Sequence, residues 1–267
     1  LGRAIVGAAL FALPLFMTME MWDLGASVDP ARIAAMLVVF LPALVALSYY
    51  AGFERAFGLI DHLLDAFAAI AVAALIAMAT LALLGVFGAD EPIDTFIAKV
   101  ALVTPPAAIG ALLADKQLGR GERSADAVAS SYPARLFLMA MGALFVAFNV
   151  APTEEMVLIA YQISAGQALL LAFVSLAALH ALLFWADLPG RVRRRVDQRF
   201  AATLLPYSLG GYGVCAVLCA YLLWTFGRLD GASLREMIEY VIVLAFPAAL
   251  GAGIAQALIG DRSERHA

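Results

Sequence analysis

Charged side chains are scarce in this chain. Only 14% of its 267 residues are Asp, Glu, Lys or Arg, whereas soluble domains contain about 25%. Lysine occurs only as Lys99 and Lys116, neither in the middle of an apolar segment, which excludes a retinal Schiff-base protein. Cysteine occurs only as Cys215 and Cys219, which lack partners for a zinc site, so we expect them to be small apolar packing residues.

Motifs of the common enzyme classes are also absent. There is no phosphate-binding glycine loop and no His-Glu-x-x-His motif, and no Ser–His pairing is recognisable in the apolar segments. His62 and His180 can in principle hold a haem, but the sequence has neither a second histidine pair nor an attachment motif. These absences predict a protein that is not an enzyme and that has no cofactor, metal site or catalytic residue.

Long apolar runs dominate what is present, and hydrophobic residues make up 64% of the chain. Each run has about 20 residues, enough for a helix to cross a hydrocarbon layer of about 30 Å. In lipid, only helices and closed barrels satisfy the hydrogen bonds of the backbone. Continuous apolar runs exclude the alternating pattern of a barrel, so we predict an all-α polytopic membrane bundle. Its eight transmembrane helices are predicted at residues 4–22, 33–50, 66–87, 96–113, 136–150, 167–185, 204–226 and 237–259.

The two halves of the chain repeat each other. The matched blocks are 7–8 with 142–143, 18–21 with 153–156, and 106–111 with 247–252. We therefore predict a first four-helix repeat over residues 1–113, a cytoplasmic linker over 114–133 and a second four-helix repeat over 134–267. Because each copy has an even number of spans, the repeats are predicted to be parallel, an arrangement found in transporters and in channels.

The first apolar run follows Arg3, as the apolar part of a secretory signal follows its basic segment. Its repeat partner lies deep inside the chain, where no signal peptide can be, so we predict a true span. Since the sequence begins at Leu1, we expect its true start to lie upstream.

Basic residues are divided unevenly between the predicted loops. With a cytoplasmic N-terminus, thirteen Lys or Arg residues lie on the inner side and four, Arg32, Lys99, Arg228 and Arg235, on the outer side. This bias predicts that both termini face the cytoplasm. The basic run at 191–195 invites comparison with a nucleic-acid or lipid site, but in a short loop it is typical of a topology determinant, so we expect no nucleic-acid partner.

Two glutamates, Glu20 and Glu155, occupy equivalent positions in the two copies. Glu20 is predicted in the last turn of its helix, where an acid is electrostatically unfavourable, whereas Glu155 follows Thr153, a predicted helix cap. A pseudo-two-fold axis would place both acids at one level on the outer side, and Lys99 is a candidate partner for one of them. Further oxygen ligands at similar depth are Thr18, Thr153, Asn149 and Glu239.

Such a set of carboxylate, hydroxyl and amide oxygens suits a small cation or protons. The alternative is a set of interfacial hydrogen bonds that hold helices together, and the sequence leaves both interpretations open. Two acids in the first turn after Thr153, Glu154 and Glu155, also suit a purely structural role at the start of a helix.

Prolines and one histidine lie within the apolar segments. Pro105, Pro106 and Pro247 are near the middle of the fourth and eighth predicted helices, where proline frees backbone carbonyls that can line an ion path or simply mark a kink. His180 lies well inside the sixth predicted helix. It is either a proton site or a histidine that is hydrogen-bonded within the bundle.

These patterns favour a channel or transporter for a small cation or protons, with a pseudo-symmetric carboxylate site. One alternative is a scaffold or accessory subunit of a membrane complex, consistent with the sparse polar interior. Another is a binder of a lipid-like molecule, which would need a lateral apolar cleft holding a polar residue. The lipid bilayer is the expected surrounding, and assembly into a homo-oligomer or with partner subunits remains open.

Three motifs carry a resemblance to a known family. They are the Phe-Ala-Leu-Pro-Leu and Thr-Met-Glu-Met-Trp blocks within residues 11–22, the Ala-Pro-Thr-Glu-Glu block at 151–155, and the Phe-Pro-Ala-Ala-Leu-Gly block at 246–251. The chain resembles a family of bacterial integral membrane proteins of unknown function over nearly its full length. This resemblance implies a bacterial inner-membrane location and brings no activity, cofactor or site residue.

Overall fold

The computed structural model describes residues 1–51, 58–88, 91–117, 131–186 and 204–260. Within these ranges the regular structure is helical and contains no strand, which confirms the all-α prediction. In the same ranges, seven helices are long and apolar enough to cross a membrane, or eight if a strongly bent pair counts as one span. Most of the predicted linker and the basic run at 191–195 lie outside the described residues.

The chain divides into two compact units. The first consists of residues 1–129 with 225–227, and the second of residues 130–224 with 228–267. Each is described below by itself.

The first unit is built around one buried helix. Its helices are α1 (Gly2–Phe16), α2 (Met19–Ser27), α3 (Pro30–Ala51), α4 (Leu59–Leu83) and α5 (Ile93–Gln117). Helix α5 packs against all four others, and its residues 102–112 are buried. Small side chains on this segment, such as Ala107, Ala108 and Ala111, let the neighbouring backbones come close.

The closest approach in this unit lies where α1 crosses α5. A Cβ atom added to Gly7 would overlap the carbonyl oxygen of Gly110, and a Cβ atom added to Gly110 would overlap the carbonyl oxygen of Gly7. The two backbones are therefore in direct contact, a geometry that only glycine permits on both sides.

The second unit is also built around its last helix. Its helices are α6 (Tyr132–Val150), α7 (Glu154–Gln162), α8 (Ala165–Ala186), α9 (Gly210–Thr225) and α10 (Leu234–Gly260). A π-helical turn over Leu204–Leu209 leads directly into α9. Helix α10 packs against α6, α7 and α8, and the π-helical turn packs against α8.

A second pair of glycines marks the crossing of α6 and α10. A Cβ atom added to Gly142 would overlap the carbonyl oxygen of Gly251, and the reverse substitution would overlap the carbonyl oxygen of Gly142. On the side facing α8, a Cβ atom on Gly253 would overlap the side chain of Leu182. Helix α10 therefore needs glycine at two of its contacts.

The first predicted span, 4–22, is not one straight helix. Helix α1 ends at Phe16, and α2 starts at Met19 after a bend of 83°. The hydroxyl of Thr18 donates a hydrogen bond to the carbonyl of Pro14 at 2.6 Å, the group that the Thr18 amide would bind if the helix continued. This hydroxyl competes with the backbone for the Pro14 carbonyl at the end of α1.

Helix α4 begins earlier than predicted, at Leu59 and not at residue 66. Its first two turns carry Asp61, His62 and Asp65, so a criterion based on apolar runs does not count them as part of a span. The remaining predicted spans lie on α3, α5, α6, α8, α9 and α10, with shifts of a few residues at their ends.

Candidate functional site

The break between α1 and α2 places Glu20 differently from the sequence prediction. Glu20 lies in the first turn of α2 and not in the last turn of a long helix, and it is partly buried. The positive end of the α2 dipole therefore stabilises the Glu20 carboxylate. The sequence prediction places this carboxylate at the negative end of a helix, where it would be destabilised. The carbonyl of Phe16 at the end of α1 accepts a hydrogen bond of 2.9 Å from the indole Nε1 of Trp22.

A similar break separates α6 from α7 in the second unit. Glu154 and Glu155 are exposed in the first turn of α7, and Thr153 stands at the N-cap position. The Thr153 hydroxyl, however, donates back to the carbonyl of Val150 at 2.9 Å and makes no capping hydrogen bond. The predicted side-chain cap is therefore wrong, while the predicted position of the two acids is confirmed.

Two polar side chains, Asn149 and Arg228, donate hydrogen bonds to backbone carbonyls near the α6–α7 break. The guanidinium of Arg228 donates to the carbonyl of Pro152, and the Asn149 amide donates to the carbonyl of Phe145 at 2.6 Å. Within the described ranges, Asn149 Oδ1 and Arg228 Nε are buried and have no hydrogen-bond partner. This break thus contains both an acceptor and a donor that are available to another polar group.

The two breaks share a common construction. In each, a threonine hydroxyl donates to a backbone carbonyl of the preceding helix, and an acid lies in the first turn of the next helix. In each, a side-chain N–H also donates to a backbone carbonyl, either at the end of the preceding helix or in the connection. Glu20 and Glu155 lie in different units, and their joint site stays a prediction.

Lys99, considered above as a partner for Glu20 or Glu155, is bound elsewhere. Its ammonium group forms an ion pair with Glu91 and donates to the carbonyl of Val86 at 3.3 Å. Glu239, another predicted oxygen ligand, forms an ion pair of 2.9 Å with Arg235 one turn earlier in α10. Both charges are thus neutralised within their own units.

The prolines are not helix breaks. Helix α5 continues through Pro105 and Pro106, and α10 continues through Pro247. Pro105 and Pro106 are buried, and the neighbouring hydroxyl of Thr104 donates to the carbonyl of Val100 at 2.7 Å. Because proline lacks an N–H, a missing hydrogen bond is expected within each helix, but the chain does not unwind. A role of these prolines in lining a path stays a prediction.

His180 forms a buried contact between α8 and the π-helical turn. Its Nδ1 lies 2.8 Å from the hydroxyl of Ser208, and Ser208 is fully buried. Pro206 falls within the same turn, where it removes one backbone donor. The expectation of a histidine hydrogen-bonded within the bundle is confirmed, and its action as a proton site stays a prediction.

The sequence prediction missed a second histidine–serine contact, in the first unit. Ser48 of α3 is fully buried, its hydroxyl lies 3.0 Å from His62 Nδ1, and it donates to Asp65 Oδ2 at 2.9 Å. Because the single Ser48 hydrogen is directed to Asp65, His62 Nδ1 must be the donor in its own contact with Ser48. The expectation that apolar segments contain no Ser–His pairing is therefore wrong for both units.

This group is not a hydrolase triad. In a Ser-His-Asp triad the acid orients the imidazole, whereas here Asp65 binds the serine hydroxyl. The helical spacing offered a signal that could have found it. His62 and Asp65 lie on the same face of α4 as Ala66 and Ala69, which are buried. In the described part of the chain, no three His, Cys, Asp or Glu side chains are grouped to hold a metal ion.

Comparison with known proteins assigns the family. Residues 1–259 match the family described as "Putative integral membrane protein (DUF2391)". The chain belongs to this family. Neither a curated protein nor a solved structure matches the chain. Membership of this family agrees with the long apolar helices and establishes an integral, multi-pass protein of the lipid bilayer.

Proposed function

We propose that this DUF2391 protein is a channel or transporter for protons or a small cation and has no enzymatic activity. We place it in a bacterial inner membrane with both termini in the cytoplasm, as the basic residues of the sequence predict. The observation that carries this proposal is that a short helix follows the first helix of each unit after a break in the chain, with a carboxylate in its first turn.

Broken helices at membrane depth have a physical cost that usually has a functional reason. Irregular backbone is tolerated in a membrane protein where it is buried in protein or lines a water-filled cavity. In many transporters, the ends of discontinuous helices bind the transported ion or substrate. A carboxylate such as Glu20 adds two oxygen ligands, which hard cations prefer.

We further propose that the two units are copies of one ancestral repeat. Both have five elements in the same order, with a helix of 9 residues after each break and a helix of 22 residues next. The glycine crossings also correspond, since Gly7 aligns with Gly142 and Gly110 aligns with Gly251 in the repeated blocks. Parallel repeats of this kind occur in transporters and channels.

Two histidine–serine contacts support protons as one of the transported ions. In each unit an imidazole binds a serine hydroxyl between the second and third long segments, His62 with Ser48 and His180 with Ser208. Imidazole and hydroxyl groups can both accept and donate protons, and histidine changes its charge near neutral pH. Ionisable groups in membrane segments are costly and are commonly functional.

The proposal is tested by flux into proteoliposomes containing the purified full-length protein. A pH-sensitive dye and a sodium- or potassium-sensitive dye inside the vesicles report uptake after an imposed gradient. We expect uptake of at least one of these ions above that of protein-free vesicles. Absence of flux for all three, together with stoichiometric co-isolation of other membrane proteins, would overturn transport and favour the scaffold alternative.

A further inference from the structure

The second unit contains a cleft that the proposed transport function does not use. It lies between the first turns of α8 and α10 and has a volume of about 630 Å³. Its apolar walls come from Ala165, Ala168 and Leu169 of α8 and from Leu234, Ile238 and Ile242 of α10. Cavities of about 300–1,000 Å³ are typical of small-molecule sites.

The cleft is open along an apolar edge. Leu169 is 70% exposed and Leu234 is 75% exposed, so these side chains do not pack into the interior of the protein. The alanines on α8 are too small to fill the space opposite α10. In a bilayer, an apolar opening of this kind is in contact with hydrocarbon chains, which can enter without loss of hydrogen bonds.

One ion pair gives the cleft a polar end. Arg235 Nε donates to Glu239 Oε1 at 2.9 Å. The two side chains differ in exposure, since that of Arg235 is 71% exposed and that of Glu239 is 11% exposed. Because the pair uses Nε, both terminal nitrogens of Arg235 remain able to donate to a second anion. A guanidinium in this arrangement can bind a phosphate through two hydrogen bonds.

The other nearby acid, Glu236, makes its hydrogen bond to the backbone and not to the guanidinium of Arg235. The Glu236 carboxylate accepts a hydrogen bond of 2.6 Å from the backbone N–H of Ser233, at the start of α10. Arg235 is the second residue of α10, so an arginine at this position can reach the level of lipid head groups while the rest of the cleft stays in hydrocarbon.

We propose that this cleft binds a membrane phospholipid, with its phosphate on Arg235 and one acyl chain between α8 and α10. Glu239 holds the guanidinium of Arg235 through Nε, and the lipid phosphate accepts hydrogen bonds from the two terminal nitrogens of Arg235. This site is independent of the proposed transport, because it uses neither the helix breaks nor the histidine–serine pairs.

The test is native mass spectrometry of the full-length protein released from nanodiscs that contain phosphatidylglycerol and diacylglycerol. The two lipids share acyl chains and differ in the phosphate head group. We expect phosphatidylglycerol to be retained and Arg235→Gln to reduce this retention about fivefold or more, since a charge-assisted pair is lost. Arg32→Gln is the matched control, because Arg32 is the third residue of α3 and lies in the first unit.

A second variant tests the acyl chain position. Ala165 is exposed at the rim of the cleft, so Ala165→Phe should fill the cleft and reduce retention, whereas Ala31→Phe at an exposed position of α3 should not. Equal retention of phosphatidylglycerol by the parent and both cleft variants would overturn the proposal. Equal retention of the two lipids by the parent would also contradict it, because the phosphate would then have no role.

Discussion

At the residue scale, the main finding is that several polar side chains in or beside the membrane segments are bound to partners within their own unit. Lys99 binds Glu91, His180 binds Ser208, and Ser48 joins His62 to Asp65. Sequence alone identified His180 and Lys99 as polar residues but did not identify their partners. The partners of His180 and Ser48 lie on other helical segments, and Glu91 precedes α5, so each pairing depends on packing that a single sequence does not display.

Ser48 offers a residue-scale prediction. Ser48→Ala removes the hydroxyl that links His62 to Asp65 and leaves both without this buried partner. Loss of such a group destabilises a protein by about 1–3 kcal/mol. We expect a lower midpoint of thermal unfolding in detergent and a lower rate of proton flux. Ser27→Ala is the control, because the Ser27 hydroxyl makes an exposed contact with Asp23 and should change neither value. Equal midpoints for the two variants would contradict a structural role for Ser48.

At the scale of helices, most of the fold could be predicted from apolar runs. Six long helices lie where the runs predicted them, because hydrocarbon thickness sets a minimum length that the sequence has to meet. The break after α1 was missed because residues 4–22 are continuously apolar apart from a few polar side chains. The side-chain hydrogen bond from Thr18 to Pro14 accompanies this break, and hydropathy carries no information about it.

The second break provides a prediction at this scale. Arg228 holds the connection between α6 and α7 through the carbonyl of Pro152, from a partly buried position. Arg228→Met should destabilise the protein by about 1.5–3 kcal/mol, as expected for a hydrogen bond to a charged group. Arg235→Lys is the control, since it keeps a cation beside Glu239 at an exposed position and should change stability by only about 0–1 kcal/mol. Chemical unfolding in detergent measures both. A larger effect at Arg235 would show that Arg228 does not hold the break.

At the scale of the whole molecule, the chain is a multi-pass membrane protein with two compact units. The sequence repeat predicted a correspondence between halves, and each unit has a broken first helix and a central last helix. The ion, the direction of movement and the joint role of Glu20 and Glu155 could not be derived from sequence. They depend on the arrangement of water and charge around the two breaks, and no residue motif specifies this arrangement.

The most direct test of the central claim compares ion flux of the parent protein and two variants reconstituted in proteoliposomes. Glu20→Gln and Glu155→Gln, combined in one protein, remove both carboxylates while keeping side-chain size. We expect the initial rate of ion uptake to fall about tenfold or more, because neutral amides attract a cation far less strongly than carboxylates. Asp94→Asn, an exposed acid in the first turn of unbroken helix α5, should keep the parent rate. Parent-like uptake in the double glutamate variant would contradict the assignment of the helix breaks as the ion site.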